Sequence, residues 1–322
     1  MIVMRPDETP AESSGVAAAA TVTRVRATVG YNLAYVALGV GLGLLAATDA
    51  PAPAALRAGA VPVAAYALST FLTKGSASVA DAVHDRAVDE DNPSTERVAA
   101  AVDRLGVDVC WSLFVAELVC GLAIAGWVAV RVGAAWPLWV VSATGLLGFV
   151  YSYPPRLKER GLWNHVVTTG VDVGAVVLAT AALVAGRLPA AAAVAGAVVF
   201  AYTFGYHLVH QAADAHYDRG AGVETFATRA GVPRTLAVAA GCTAVAAGGS
   251  VALGYPLVAV ASLLVTAWYV HLYRLSRGRP PKGRTDAVAD RFDVARVATA
   301  LNAAAAAAVW VRAVAPAPTP LW

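Results

Sequence analysis

The chain has 322 residues, of which 58% are hydrophobic and 14% are charged, and its formal net charge at pH 7 is +3. A globular domain usually carries about 25% charged residues, so the composition excludes an ordinary soluble fold and indicates an integral membrane protein. The three cysteines lie in apolar runs and are too few and too scattered for a disulfide framework or a zinc site. No nucleic-acid partner is expected.

The two ends of the chain read as tails. Residues 1–22 are rich in Pro, Ser and Ala and are predicted to be a disordered cytoplasmic tail. They lack the basic segment before an apolar core that is typical of a signal peptide. A second short tail is predicted over 315–322. The remainder, 23–314, is predicted to form a single transmembrane domain.

Apolar segments long enough to cross a bilayer recur along this domain. A transmembrane helix needs about 20 mostly apolar residues. Nine segments meet that requirement: 28–48, 58–80, 106–130, 135–153, 163–185, 188–212, 233–253, 255–273 and 294–314. The pattern predicts an all-α, polytopic membrane protein with nine transmembrane helices.

Basic residues set the predicted topology in the cell membrane. All but four of the 24 Lys and Arg residues fall on one side of the nine spans, and the exceptions are Arg57, Arg131, Arg187 and Arg312. Since basic residues are enriched in cytoplasmic loops, the N-terminus is expected to be cytoplasmic and the C-terminus outside.

A glycine-rich pentapeptide, Gly39–Gly43, lies inside the first span. No strand precedes it, so we interpret it as a site of close helix packing and not as a nucleotide-binding loop.

Two sets of aspartates follow the second and sixth spans, Asp81, Asp85 and Asp89 in one and Asp214 and Asp218 in the other. A spacing of four residues corresponds to about 400° of rotation and roughly 6 Å of rise, so each set lies along one helix face. Carboxylates are costly near a bilayer unless they have a partner. Hard oxygen ligands favour Mg²⁺, which usually also binds substrate phosphates. The sequence therefore predicts a Mg²⁺ site formed by all five, with its mouth on the cytoplasmic side.

Three segments resemble motifs of the UbiA superfamily of intramembrane prenyltransferases. The aspartate sets are similar to its Asn-x-x-x-Asp-x-x-x-Asp and Asp-x-x-x-Asp motifs, and the second continues into Asp218-Arg-Gly-Ala-Gly222. The third is Tyr151-Ser-Tyr-Pro-Pro-Arg156-Leu-Lys158, which resembles the Tyr/Pro/Lys element after the fourth helix. The resemblance spans the whole chain.

This resemblance implies a nine-helix bundle around a central cavity and a Mg²⁺-dependent transfer of an isoprenyl group. The donor would be an allylic diphosphate and the acceptor a lipophilic or aromatic molecule. Membrane lipid would surround the protein. Catalytic roles are expected for Asp85, Asp89, Asp214, Asp218 and Lys158. Substrate-binding roles are expected for Arg156, Lys158, Tyr151, Tyr153, Arg86, Arg97, His210 and Asn32, and His210 is also a candidate base near the acceptor.

The chain departs from the family pattern at four places, two of which are Ala82 and Gln211, where many members have an acid. Asp81 stands where the pattern has Asn, and an Arg-Pro-x-Asn element that often opens the first helix is reduced to Tyr31-Asn32. The loss of the arginine makes a 4-hydroxybenzoate-type acceptor less expected. A terpene cyclase acting on the diphosphate alone, and a transporter or non-catalytic lipid-binding protein with a central cation site, remain alternatives. Lys74 is expected either to approach the diphosphate or to extend to the membrane interface.

Overall fold

The computed structural model describes residues 14–47 and 52–314, and of 52–58 only the backbone. Helices and their connections make up all of this described part. In chain order the helices α1 to α14 are Gly15–Val22, Val25–Ala46, Ala52–Glu90, Glu96–Leu105, Val107–Val132, Trp136–Ser152, Leu162–Gly170, Ala179–Ala185, Ala190–Gly220, Phe226–Ala230, Val232–Ala252, Pro256–Ser276, Pro281–Ala289 and Val294–Val314. A π-helical stretch, Val171–Leu178, joins α7 to α8.

The helices confirm a multi-pass membrane architecture. Within the described residues, seven helical segments are long and apolar enough to cross a membrane, and one of them is the continuous helix Leu162–Ala185. Each coincides with a predicted span. The two other predicted spans fall on α3, which has 39 residues and a charged end, and on α6, which has only 17.

The N-terminal segment differs from its prediction. Residues Gly15–Val22 form α1 where a disordered tail was expected, while residues 1–13 and 315–322 lie outside the described part of the chain. Ala18 and Val22 are buried in an apolar cluster with Val79 and Val102. Burial of this small apolar face against α3 and α4 accounts for the order of a segment whose composition alone suggested none.

Two helices extend well past their predicted apolar limits. The prediction ended the second span at residue 80 and the sixth at 212, whereas α3 continues to Glu90 and α9 to Gly220. Hydropathy marks where a segment stops being apolar, but a helix continues as long as its backbone hydrogen bonds and side-chain contacts are favourable. Both aspartate sets consequently stand on regular helix.

Close packing accounts for the glycines of the first span. A Cβ atom on Gly39 would lie 2.5 Å from the backbone oxygen of Val177, and one on Gly43 would lie 2.6 Å from Cβ of Val184. Only hydrogen fits at these approaches. The packing interpretation of Gly39–Gly43 is therefore confirmed.

Candidate active site

The ends of α3 and α9 that carry the aspartates enclose a cavity of about 170 Å³. All five predicted metal ligands line it, three from α3 and two from α9. Further positions on α3 and α9 also line it, and the rest of its wall comes from the residue before α2, the loop after α3, the end of α6, the turn that follows α6, α7 and the segment before α10. Two sets of carboxylates that are far apart in sequence thus share one space.

Both carboxylate oxygens of Asp81 have protein partners. Its Oδ2 accepts a hydrogen bond from Arg24 Nη2 at 3.0 Å, and its Oδ1 accepts one from Ser152 Oγ at 2.5 Å. Lys158 Nζ lies 3.9 Å from the same Oδ1. Because protein cations and a hydroxyl surround it, this carboxylate is neutralised without a metal.

Lys158 is a buried cation in the cavity wall. It lies in the 3-10 turn Leu157–Glu159, and its ammonium donates a hydrogen bond to Asp85 Oδ1. His84 Nδ1 lies 2.7 Å from that same oxygen. A buried ammonium is stable only beside a negative charge, so the aspartates hold Lys158 inside the site.

The second aspartate set is tied to the loop that follows the first. Asn92 Nδ2 donates a hydrogen bond to Asp214 Oδ1 at 3.1 Å, and Ser94 Oγ lies 3.5 Å from the same atom. His210 Nδ1 is 3.7 Å from Asp214 Oδ2. Asp218 lines the cavity one turn further along α9.

Asp89 carries an oxygen without a partner. The residue is buried, and its Oδ2 makes no hydrogen bond within the described structure. Burial raises the pKa of Asp89 to about 6, because the charged form loses hydration. This carboxylate lies beyond the predicted span 58–80 and lines the cavity. An unpaired buried oxygen of this kind is suited to a cation.

Two arginines predicted to bind substrate are not brought to the cavity. Arg86 forms a two-point contact with Asp103 of α4, with Nη2 to Oδ2 at 2.8 Å, and this hydrogen bonding lowers the pKa of Asp103. Arg97 is exposed on α4. Adjacent helix positions differ by about 100°, so Arg86 points away from the face that Asp85 presents.

The Tyr/Pro/Lys segment, residues 151–158, contributes some of its side chains to the cavity and keeps the others outside it. Tyr151 and Lys158 line the cavity, whereas Arg156 and Tyr153 do not. Arg156 has a φ of 57° and an Nη2 atom 2.9 Å from Glu159 Oε1. Tyr153 stacks on an aromatic ring of α6. Of the four residues of this element that were expected to bind substrate, two therefore line the cavity.

Asn32 is also absent from the cavity lining. It is buried in the bundle, where its Oδ1 accepts a hydrogen bond from Lys74 Nζ at 2.7 Å and its Nδ2 donates one to Thr28 O at 2.9 Å. Lys74 is held inside the bundle by this bond and by a contact with Asp172, and it does not line the cavity.

Several lining residues had no assigned role in the sequence. Arg24 precedes α2 with a φ of 53°, a left-handed conformation that turns its side chain to Asp81. His165 Nε2 lies 3.1 Å from Gln211 Oε1, which also accepts a hydrogen bond from Ala227 N at 3.0 Å. Helix periodicity could have predicted the position of Gln211, because it stands three residues before Asp214 and lies on the same helix face.

The oxygen atoms that line the cavity are of the type that a hard divalent cation prefers. The cavity offers carboxylate oxygens, one of them unpaired on Asp89, and Mg²⁺ prefers such ligands. Within residues 14–47 and 52–314, however, no three His, Cys, Asp or Glu side chains are grouped closely enough to hold a metal by themselves. Mg²⁺ is usually bound through one or two carboxylates together with water and substrate phosphates. The donor set agrees with that mode.

Comparisons with known proteins identify a family and several solved structures of similar fold. Residues 34–294 match the model of the UbiA prenyltransferase family. A UbiA homolog from Archaeoglobus fulgidus bound to GPP and Mg²⁺ is similar, with 17% identity and a TM-score of 0.64 over 91% of this chain and 99% of that chain. The apo UbiA homolog from Aeropyrum pernix K1 has 17% identity and a TM-score of 0.59 over 87% and 98%.

A third structure, of a digeranylgeranylglyceryl phosphate synthase, has 12% identity and a TM-score of 0.58, over 93% of this chain and 98% of that one. At such identities the structural likeness shows the fold alone. No match to an individually curated protein was found.

Proposed function

Because the chain belongs to the UbiA prenyltransferase family, we propose that it is a Mg²⁺-dependent intramembrane prenyltransferase. It moves an isoprenyl group from an allylic diphosphate to a lipophilic or aromatic acceptor. The observation that carries this proposal is the convergence of five aspartates and two cations, Arg24 and Lys158, on one cavity. The Archaeoglobus relatives bound to Mg²⁺ with GPP or DMAPP support the same ligand chemistry.

We assign the metal to those cavity carboxylates that have at least one oxygen without a protein partner at hydrogen-bond distance. In this proposal Asp85 and Asp89 from α3, and Asp214 and Asp218 from α9, hold Mg²⁺ together with the diphosphate. The metal supplies charge neutralisation as diphosphate leaves. Asp81 has a different role, because Arg24 and Ser152 occupy its two oxygens. It positions Arg24 and Lys158 beside the diphosphate.

Arg24 and Lys158 are the diphosphate-binding cations of the proposal. Arginine presents a planar fork that matches phosphate oxygens, while lysine acts as a point charge. Both already stand beside aspartates, so no uncompensated positive charge is buried when the donor is absent. Fixed positive groups aimed at the leaving diphosphate stabilise its developing charge.

The membrane-spanning helices complete the site. We assign α3 and α6 as the remaining two of nine membrane helices, with the N-terminus and the cavity mouth cytoplasmic and the C-terminus outside. The bias of basic residues supports this orientation. In this arrangement a polar donor head enters from the cytoplasm and its isoprenyl chain lies among apolar helices, where little water competes for the allylic cation.

Product analysis tests the proposal. The purified protein in lipid nanodiscs is incubated with Mg²⁺ and labelled geranyl, farnesyl or geranylgeranyl diphosphate, with and without a lipid extract of the encoding organism. We expect pyrophosphate release and a labelled lipid that forms only with the extract. A hydrocarbon or terpene alcohol formed from the donor alone would favour the cyclase. Normal donor binding with no pyrophosphate from any of the three would contradict both enzymes.

A further inference from the structure

A second charged cluster lies deeper in the bundle than the aspartates. Asp172 belongs to the π-helical stretch, is buried, and has a partner on each carboxylate oxygen. Lys74 Nζ lies 2.5 Å from its Oδ1, and His207 Nε2 lies 3.2 Å from its Oδ2. Lys74 also donates to Asn32 and sits 5.2 Å from the centre of the Tyr31 ring. Side chains of α3 and α9 thus bind one carboxylate, while α2 contacts the lysine. Stretches of π-helix are frequent at functional sites.

The partners of this cluster determine the state of His207. A histidine acts as a base through its neutral imidazole, in which one ring nitrogen carries a hydrogen and the other a lone pair. A carboxylate only accepts hydrogen bonds, which places the imidazole hydrogen on Nε2. Nδ1 therefore keeps its lone pair, and it has no hydrogen-bond partner among the described residues.

His207 is the member of the cluster that reaches the cavity. It lines the same cavity as the five aspartates, which Lys74 and Asp172 do not. Its side chain is 23% exposed, against 7% for Asp172. Along α9 it stands seven residues from Asp214, about 10 Å towards the apolar part of the bundle. The His207 imidazole is thus placed to contact a ligand that lies between the diphosphate site and the apolar part of the bundle.

We propose that His207 is the catalytic base that takes the proton lost by the acceptor, and that Asp172 and Lys74 are positioning residues that fix its tautomer. This inference rests on the proposed prenyl transfer. The bond between donor C1 and the diphosphate oxygen breaks, and diphosphate leaves with the electron pair. The acceptor atom forms a new bond to C1, and its proton passes to Nδ1 of His207. Asp172 stabilises the resulting imidazolium, which later releases the proton to water in the cavity.

His210, the base suggested by the sequence, is less suited to this task. Its side chain is 50% exposed, and Nδ1 lies 3.7 Å from Asp214, a carboxylate proposed to bind metal. That metal would compete for the same carboxylate. Among the histidines that line the cavity in the described part of the chain, only His207 has one ring nitrogen beside a carboxylate that is not proposed to bind metal and the other without a hydrogen-bond partner.

The test separates donor binding from transfer. His207→Gln keeps an amide that can donate to Asp172 but cannot accept a proton, and His207→Ala leaves space for added imidazole. Each is compared with His271→Ala, which removes an exposed histidine of α12. Mg²⁺-dependent retention of labelled geranyl diphosphate is measured first. The rate of labelled lipid formation follows, with the donor that the unchanged protein uses and the lipid extract.

We expect both His207 variants to retain the donor within about twofold of the unchanged protein and to transfer it at least about 100-fold more slowly, the usual contribution of a general base. Imidazole should restore part of the rate to His207→Ala. The paired variant Asp172→Asn with Lys74→Met keeps the cluster uncharged, and it should lower kcat without changing the KM for donor.

Transfer by His207→Gln at the rate of His271→Ala would overturn the inference while leaving the prenyltransferase proposal intact. A loss of donor retention equal to the loss of rate would also overturn it, because His207 would then be a binding or structural residue. If the unchanged protein forms no lipid product, the proposed function fails and the inference fails with it.

Discussion

The side-chain amide of Asn92 donates a hydrogen bond to Asp214 across 3.1 Å and joins the loop after the first aspartate set to the second set. Because the amide donates to one carboxylate oxygen, it orients the other towards His210. The bond is thus a direct link between the two halves of the proposed metal site.

Removal of this link is expected to weaken the site without destroying it. A hydrogen bond to a charged group contributes about 1.5 to 3 kcal/mol, so Asn92→Ala should raise the Mg²⁺ concentration for half-maximal donor binding by about tenfold or more. Ser94→Ala is the comparison: its hydroxyl donates to Asn92 Oδ1 at 2.8 Å and lies 3.5 Å from Asp214, so its loss leaves the Asn92–Asp214 bond in place and should have a smaller effect. Equal effects of the two substitutions would assign no special role to Asn92.

The buried Lys158 gives a prediction about stability. Lys158→Ala leaves Asp85 without its lysine partner, and breaking a buried ion pair from one side costs about 3 to 5 kcal/mol. The unfolding temperature of the purified protein in detergent should fall without Mg²⁺ and recover partly when Mg²⁺ is added. Lys282→Ala, at an exposed position, should change neither value. A drop that Mg²⁺ cannot reduce would argue against a shared role for lysine and metal at Asp85.

Arg24 and Arg86 both lie near the first aspartate set, but their substitution is expected to affect donor affinity differently. Arg24→Ala should lower the affinity for labelled geranyl diphosphate by at least about tenfold, since a charge-assisted contact to phosphate is lost. Arg86→Ala should leave that affinity unchanged, because Arg86 is turned to Asp103 outside the cavity. Filter binding with Mg²⁺ present measures both, and a larger effect at Arg86 would contradict the assignment.

Helix packing at the first span predicts a contrast between two glycines. Gly39→Ala would place a methyl group 2.5 Å from a backbone oxygen, and overpacking of this kind costs about 1 to 3 kcal/mol. Gly241→Ala meets no atom within 4 Å and should stabilise α11 slightly, since alanine favours helix over glycine. Thermal unfolding of the two variants should shift in opposite directions. A shift in the same direction would refute this packing account.

The site was predictable from sequence where helix periodicity applied. A spacing of four residues correctly brought Asp81, Asp85 and Asp89 onto the cavity face of α3, and the distribution of basic residues put the second set on the same side of the membrane. The same periodicity argues against Arg86, which follows Asp85 by one residue and therefore lies about 100° away. Proximity in sequence was misleading there.

The remaining part of the site depends on geometry that local sequence does not encode. Arg24 reaches Asp81 through a left-handed backbone conformation, and α1 packs beside it through buried Ala18 and Val22. Lys74 looked like a residue for the membrane interface because its partner Asp172 is 98 positions away. Contacts of that range arise from the tertiary fold, so composition and spacing could not reveal them.

Mg²⁺-dependent binding of labelled geranyl diphosphate to Asp85→Asn, Asp214→Asn and the double variant tests most directly whether both aspartate sets hold one ligand. Asp290→Asn, an exposed change, serves as the control. If the two carboxylates act on one metal–diphosphate group, each single variant should lose most of the Mg²⁺-dependent binding and the double variant should lose little more. Independent, additive losses, or undiminished binding by either single variant, would contradict a shared site.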